Sequence, residues 1–259
     1  MNILTVDAVL PEGIVEAVTP YPPSPFQSLM FYCNDPVAMG RPGHDHFEMQ
    51  PLALLTGPQF SRVNIRVHQQ LKSIRFDFLP GGLYRMLGIP MHELFDGGYD
   101  AVDLFGSGMK QLNEQLKNTI NLEDGKNLVE TFLMARQGRF AETLPFDRAL
   151  IGLLKQEGGM DMETAASLAC LSSRQFERKC NERLGMNPKM YSRILRFSKA
   201  YRLHESFPDL PWISIAHQAG YYDQMHMIRD FKVFAGVNPS VIEQQLHSTP
   251  LRMQKDMKI

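Results

Sequence analysis

The chain has 259 residues, 44% of them hydrophobic and 21% charged, which is the composition of a globular protein with a real core and excludes a disordered chain. Its net charge of −1 excludes a uniformly basic nucleic-acid binder, yet residues 1–146 carry 11 Lys/Arg against 16 Asp/Glu, a net of −5, while residues 147–259 carry 16 against 12, a net of +4. Two units are implied, and only the second would welcome a polyanion. Cys33, Cys170 and Cys180 have no CxxC spacing, so a reducing compartment is expected rather than a disulfide framework. "MNILTVDAVLPEGIVEAV" lacks a basic start and carries acids in its apolar run, so no signal peptide is expected. No apolar run reaches the ~18 residues of a membrane span, and the cytoplasm is the expected location.

The first hundred residues read as strands. "SLMFYC" (28–33), "LALLTG" (52–57), "RVNIRV" (62–67) and "LKSIRFDFL" (71–79) are short, aliphatic or aromatic, and separated by Pro/Gly clusters. "RVNIRV" and "SIRFDF" alternate polar with apolar, as in a sheet with one buried face. An antiparallel, cupin-like β-barrel or sandwich is the simplest fold for this region. Pro80, Gly81 and Gly82 would turn a strand into the helix "LYRMLG". The period then changes: Met109, Leu112, Leu116 and Ile120 recur at three and four, as do Leu128, Val129, Phe132 and Leu133. This amphipathic hairpin either packs on the β-rich region or dimerises. The expected organisation is a β-rich sensor or dimerisation domain at 1–106, the hairpin at 107–135, a linker at 136–146, an all-α domain at 147–247 and a tail at 248–259.

Two segments of the helical region share one arrangement. "METAASLAC" places Ala165, Ala166 and Ala169 on the inner side of a short helix, "CLS" turns the chain, and "SRQFERKCNERLG" forms a second helix. Ser172 and Gln175 have the spacing of a capping box. Phe176, Cys180 and Leu184 would point inward and Arg174, Arg178 and Asn181 outward. Farther on, "WISIAHQA" is the short helix, "GYY" the turn, and Asp223 the cap of "QMHMIRDFKVFA". Met227, Phe231 and Phe234 line its inner face, with Met225, Arg229 and Lys232 outward, His226 beside them and Gln224 at the tip. Small residues before a tight turn permit close helix crossing, and Gly220 suits a positive φ. This is helix-turn-helix geometry, whose second helix enters the major groove. "NPKMYSRILRFSKAYRLHE" reads as one stiff helix between the two units, able to set both against successive groove faces.

The alternation of Ser172, Arg174, Phe176 and Arg178 in "SSRQFER" continues into "GMNPKMYSRILRFSKAYRL", with Gly185, Asn187, Pro188, Tyr191, Arg193, Arg196, Ala200 and Leu203. With "IAHQAGYYDQMH" (215–226) and "FKVFAGVNP" (231–239), this spacing resembles the DNA-binding domain of the AraC/XylS transcription regulators over residues 147–245. The resemblance implies a seven-helix domain with two helix-turn-helices. By position it implies DNA contacts from Ser172, Ser173, Arg174, Glu177, Arg178 and Asn181 in the first unit, and from Gln224, Met225, His226 and Arg229 in the second. Cys180 and Met227 stand where the family usually has Phe, and Met225 where a small polar residue is usual. The N-terminal half more loosely resembles the β-rich sensory domains found ahead of this module. The implied partners are double-stranded promoter DNA, a second copy of the chain, RNA polymerase and a small-molecule effector. No cofactor and no enzymatic activity are expected.

A rival reading starts from "GHDHFE" (43–48). In a strand His44, His46 and Glu48 would share one face and could ligate a metal, with His68 as the only further histidine candidate. The chain would then be a cupin-type metalloenzyme with a helical interaction module.

Overall fold

The computed structural model describes residues 2–136, 143–249 and 251. Most of the expected linker and tail lies outside the described residues. Two antiparallel sheets form the N-terminal half. One has the order β1 (Asn2–Val9), β8 (Gln70–Asp77), β3 (Ser28–Tyr32), β6 (Ala53–Thr56) and β9 (Gly98–Asp100). The other has the order β2 (Glu16–Tyr21), β7 (Val63–His68), β4 (Ala38–Gly40) and β5 (Phe47–Met49). The expected sandwich is present, but the barrel is not: the sheets stay separate and open, so the cupin-like closure is corrected. One edge, β1, is covered by α4 (Leu122–Met134) instead of pairing with a further strand.

Strands expected at 28–33, 52–57, 62–67 and 71–79 are β3, β6, β7 and β8. Their apolar residues fill two cores. Leu29, Phe31, Leu55, Ile74 and Phe76 face the helical layer, and Met30, Leu54, Ile65 and Val67 meet between the sheets. The strands β1 and β2 go beyond the sequence expectation, although β1 pairs with β8 along its whole length, from Asn2 opposite Asp77 to Val9 opposite Gln70. A buried ion pair lies within β8, where Arg75 Nε donates to Asp77 Oδ1 at 2.6 Å, and Ser28 Oγ of β3 donates to the same oxygen at 2.5 Å.

Gly81, at φ 77, turns β8 into α1 (Gly82–Leu87) as expected. A 3-10 turn (Met91–Leu94) and α2 (Ala101–Phe105) follow. The hairpin of α3 (Ser107–Lys117) and α4 packs on the first sheet, where Met109, Leu112, Leu116, Val129 and Leu133 are buried. Gly125 lets α4 approach β8 closely, since a Cβ there would stand 2.7 Å from Ile74 Cδ1. The hairpin's apolar stripes are therefore spent inside the chain, while Ile120, at the turn, is 92% exposed.

The second half contains, among the described residues, α5 (Pro145–Lys155), α6 (Met162–Leu168), α7 (Ser173–Leu184), α8 (Pro188–Ser206), α9 (Trp212–Gln218), α10 (Gln224–Phe234) and α11 (Pro239–His247). One core joins them, with Tyr191, Ile194, Phe197 and Tyr201 of α8 at its centre. The halves touch at the C-terminal end of α7. Tyr84 of α1 donates its hydroxyl to Glu182 Oε1 at 2.6 Å, and the Arg183 guanidinium lies 4.9 Å from the Tyr84 ring centre. A second bond crosses from Arg62 Nη1 to Gln245 Oε1 of α11 at 2.8 Å.

Candidate nucleic-acid interface

In both units the turn is built by the same hydrogen bonds. In the first, the amides of Ala169, Cys170 and Leu171 donate to the carbonyls of Ala165, Ser167 and Ala166. In the second, Ala219, Gly220 and Tyr221 donate to Ile215, His217 and Ala216, the same pattern residue for residue. The left-handed position is filled by Gly220 at φ 78 in one and by Cys170 at φ 55 in the other. A cysteine carries a Cβ penalty there that glycine does not. The small residues Ala165, Ala166, Ala216 and Ala219 are buried, which permits the close crossing of the paired helices.

Each second helix starts on a side-chain cap. Ser172 Oγ accepts from the Gln175 amide at 3.3 Å, and Gln175 Oε1 accepts from the Ser172 amide at 3.0 Å. Asp223 Oδ1 accepts from the His226 amide at 2.6 Å. The inner faces are those anticipated: Phe176, Cys180 and Leu184 on α7, and Met227, Phe231 and Phe234 on α10, are all buried. Burial pushes the Cys180 thiol far above the usual range, so it is a packing residue.

Ser172, Ser173, Arg174, Glu177, Arg178 and Asn181 are all exposed, and the last four with Gln175 line a shallow concavity along α7. On α10, Met225 and Arg229 are exposed, whereas Gln224 and His226 are half-buried. The His226 ring is held edge-on against Tyr221, with centres 5.4 Å apart, so its direction is set by the turn. The sequence reading missed Tyr222, which is 95% exposed at the tip of the second turn. The signal was available: the second unit has one more residue than the first between the left-handed position and the cap. With Tyr221 turned inward, that extra residue has to face out.

Apart from Arg148 of α5, which is exposed and in no ion pair among the described residues, the described arginines of the helical half fall into two sets. Arg183 pairs with Asp147 at 2.9 Å, Arg193 with Asp230 at 2.7 Å and Arg202 with Glu157 at 3.5 Å, while Arg196 donates to the Gly158 carbonyl at 3.2 Å. These hold helices together, and burial lowers the Arg202 pKa to about 10 despite the neighbouring carboxylates. Among the described residues, Arg174, Arg178 and Arg229 take part in no ion pair. They keep their charge and hydrogen-bonding capacity directed at solvent.

One helix connects the two units. Asn187 Oδ1 caps α8 by accepting from the Met190 amide at 2.8 Å, Pro188 opens it, and its 19 residues span about 28 Å at ~1.5 Å per residue. The second unit is keyed to it through Phe197, whose ring lies 4.9 Å from Phe231 and 5.2 Å from Phe234. At its other side Lys199 pairs with Glu157 at 2.5 Å, beside the loop that leads into α6.

The metal candidates are arranged differently from the strand anticipated for them. Only residues 47–49 are extended in β5, so His44 and His46 precede the strand and the three do not share a strand face. His46 Nε2 stands 3.5 Å from Glu48 Oε1 at the surface, and His68 stands 3.9 Å from Glu16. Among the described residues no group of three or more His, Cys, Asp or Glu is placed to hold a metal ion. Nor is any helix among them long and apolar enough to cross a membrane.

Comparison with known proteins places these elements. Residues 165–245 match the family model described as a helix-turn-helix domain. No curated protein sequence matches the chain. Among solved structures, ToxT from Vibrio cholerae O395 is similar over 96% of this chain and 99% of its own, with a TM-score of 0.52 at 10% identity. An unsaturated fatty acid-bound ToxT from Vibrio cholerae strain SCE256 is similar over 97% of each chain, with a TM-score of 0.51 at 12% identity. The DNA-binding domain of AdpA, a global transcriptional factor in complex with a target DNA, is 23% identical over 39% of this chain and 92% of its own, with a TM-score of 0.37. Residues 165–245 of this chain are thus a helix-turn-helix domain, carried behind a β-rich N-terminal half in a fold similar to that of ToxT.

Proposed function

We propose that this chain is a sequence-specific, DNA-binding transcription regulator that sets α7 and α10 into successive major-groove faces, about 34 Å apart along one side of the duplex. The observation that carries this reading is the division of the arginines. Arg183, Arg193 and Arg202 are neutralised by carboxylates within the fold, and Arg174, Arg178 and Arg229 on the outer faces of α7 and α10 are left without a carboxylate among the described residues. A helix face serving only stability would pair them with Glu along the helix.

In this reading Ser172 and Ser173 meet phosphate at the start of α7, where unpaired backbone amides favour an anion. Arg174, Arg178 and Arg229 supply guanine or phosphate contacts, Asn181 and Gln224 suit adenine edges, and Glu177 suits the cytosine amino group. Met225 offers an apolar surface to a thymine methyl, and His226 and Tyr222 flank it. Residues 147–247 form the DNA-reading unit and residues 1–106 a sensor. The chain acts as a homodimer in the cytoplasm, contacts RNA polymerase, responds to a small molecule and catalyses no reaction. The fatty acid bound in the ToxT structure, across a similar fold, supports a chain that responds to a small molecule.

Selection of bound duplexes from random DNA, repeated at several salt concentrations, tests this. Two short preferred tracts about one helical turn apart are expected, with affinity falling steeply as salt rises. Absence of any enriched sequence would reject the proposal.

A further inference from the structure

Arg62 differs from the other buried arginines. It is 5% exposed, yet among the described residues its hydrogen-bond partner is the neutral Gln245, and its Nε has no acceptor. No carboxylate among the described residues lies within ion-pair distance of it, whereas buried Arg75 has Asp77 at 2.6 Å and Arg183 has Asp147 at 2.9 Å. A guanidinium taken out of water without a counter-charge is costly to the fold. Burial accordingly lowers its pKa.

Arg62 lines a cleft of about 590 Å³ between the β4–β5 turn, the segment entering β7, and the C-terminal end of α10 at Val233–Gly236. A neighbouring cavity of about 460 Å³ shares Arg41, His44, Gln59, Val63 and Asp96 with it, so the two form one passage. Volumes of this size suit a small metabolite. The carboxylate in both cavities, Asp96, is already engaged: it accepts from the Phe60 and Ser61 amides at 2.7 and 3.2 Å and from the Ser61 hydroxyl at 2.8 Å. Arg41 and His44 are exposed at the mouth and make no ion pair among the described residues. Within the cleft that holds Arg62 the balance is positive, Arg41 and Arg62 standing against Asp96, and the buried cation lacks a counter-ion; Glu48, 3.5 Å from His46, lines the neighbouring cavity alone.

We propose that the cleft lined by Arg62 binds a small hydrophilic oxyanion, carboxylate- or phosphate-bearing, with Arg62 as the buried counter-charge and Arg41 and His44 at the entrance. The occupant would lie against both the N-terminal sheets and the end of α10. Its regulatory meaning rests on the DNA-reading proposal, because α10 carries Gln224 to Arg229 at its other end; the binding itself does not depend on that reading.

Isothermal titration of the full chain, without DNA, with inorganic phosphate and separately with malonate tests the site. Saturable binding of one anion per chain is expected for at least one probe; phosphate alone indicates a phosphorylated ligand, malonate alone a carboxylate. Arg62→Met should weaken it at least about tenfold, the effect of losing a charge-assisted hydrogen bond. Should Arg62→Met fail to fold, Arg41→Ala and His44→Ala, both at exposed positions, are expected to weaken binding severalfold. Saturable binding of neither probe, or equal binding by all variants, overturns the proposal. Equal thermal stabilisation of wild type and Arg62→Met by phosphate also overturns it, since excluded salts stabilise any fold. Loss of DNA binding in Arg178→Ala leaves these heats unaffected, so the two proposals fail separately.

Discussion

Arg193 donates from both Nε and Nη2 to one oxygen of Asp230, at 3.0 and 2.7 Å, and the other oxygen of Asp230 takes the Tyr221 hydroxyl at 3.2 Å. The three residues belong to the connecting helix, the second recognition helix and the turn before it, so one carboxylate fixes all three elements. Asp230 is 1% exposed, and burial together with its charge pushes the Tyr221 hydroxyl far above the usual phenol range. Arg193→Ala would leave the carboxylate buried and unmatched, at a cost of about 3 kcal/mol in unfolding by urea. DNA affinity should fall with it, because α10 loses its bearing on α8. A variant as stable as wild type would mean that the pair clamps nothing.

The outward arginines should behave oppositely. Arg178→Ala and Arg229→Ala are each expected to weaken binding to the selected duplex by about 1–3 kcal/mol. The melting temperature should not change, since both side chains are exposed and make no ion pair among the described residues. A lowered salt dependence in either variant assigns that arginine to phosphate, and relaxed sequence preference assigns it to a base.

The two turns permit a reciprocal experiment. Cys170→Gly, relieving a non-glycine residue at φ 55, should raise stability by about 1 kcal/mol. Gly220→Ala should lower it by a similar amount of about 1 kcal/mol, since φ is 78 there although the nearest atom to an added Cβ is 3.8 Å away. Equal and opposite shifts in denaturation midpoint would isolate backbone conformation from packing.

Where the halves meet, Gly185 ends α7 at φ 74, and a Cβ there would stand 2.6 Å from Pro58 Cγ and 3.0 Å from the Met91 carbonyl oxygen. Gly185→Ala should therefore loosen the contact between the β-rich half and α7, in addition to straining the cap. Limited proteolysis is expected to cut this variant faster than wild type; an identical digestion course would show that the junction tolerates the side chain.

Cysteine labelling provides a check on burial. Cys170 is exposed, whereas Cys33 and Cys180 are buried, and burial raises the Cys33 thiol to about 11. Alkylation near neutral pH should modify Cys170 alone until the chain unfolds. Because the folded state holds the Cys33 proton more tightly than the unfolded one, stability should decline as pH rises from the ordinary thiol range towards about 11. Uniform labelling of all three thiols in the native protein would contradict the packing of both cores.

The helical half was the more legible in sequence because its signals are local. A capping box such as Ser172–Gln175, a left-handed glycine such as Gly220 and a four-residue apolar repeat such as Phe176–Cys180–Leu184 act within one or two turns of chain. The β-rich half was legible only where strands alternate or run apolar. The strands β1 and β2 are held by partners more than forty residues away, as with Thr5 opposite Ile74 and Thr19 opposite Ile65, and their own residues carried too weak a signal.

Sequence by itself determined the two helix-turn-helix units, the helix between them and the residue types on their outer faces, because helical periodicity and capping are short-range. Tertiary structure alone decided which arginines are spent on Asp147, Glu157 and Asp230 and which remain outward. It likewise decided that the sheets stay open, that the hairpin is used up against β8, and that Arg62 is buried without a carboxylate among the described residues. Pairing of charges and burial of faces depend on segments brought together from distant regions of the chain, and no local pattern encodes which of them will meet.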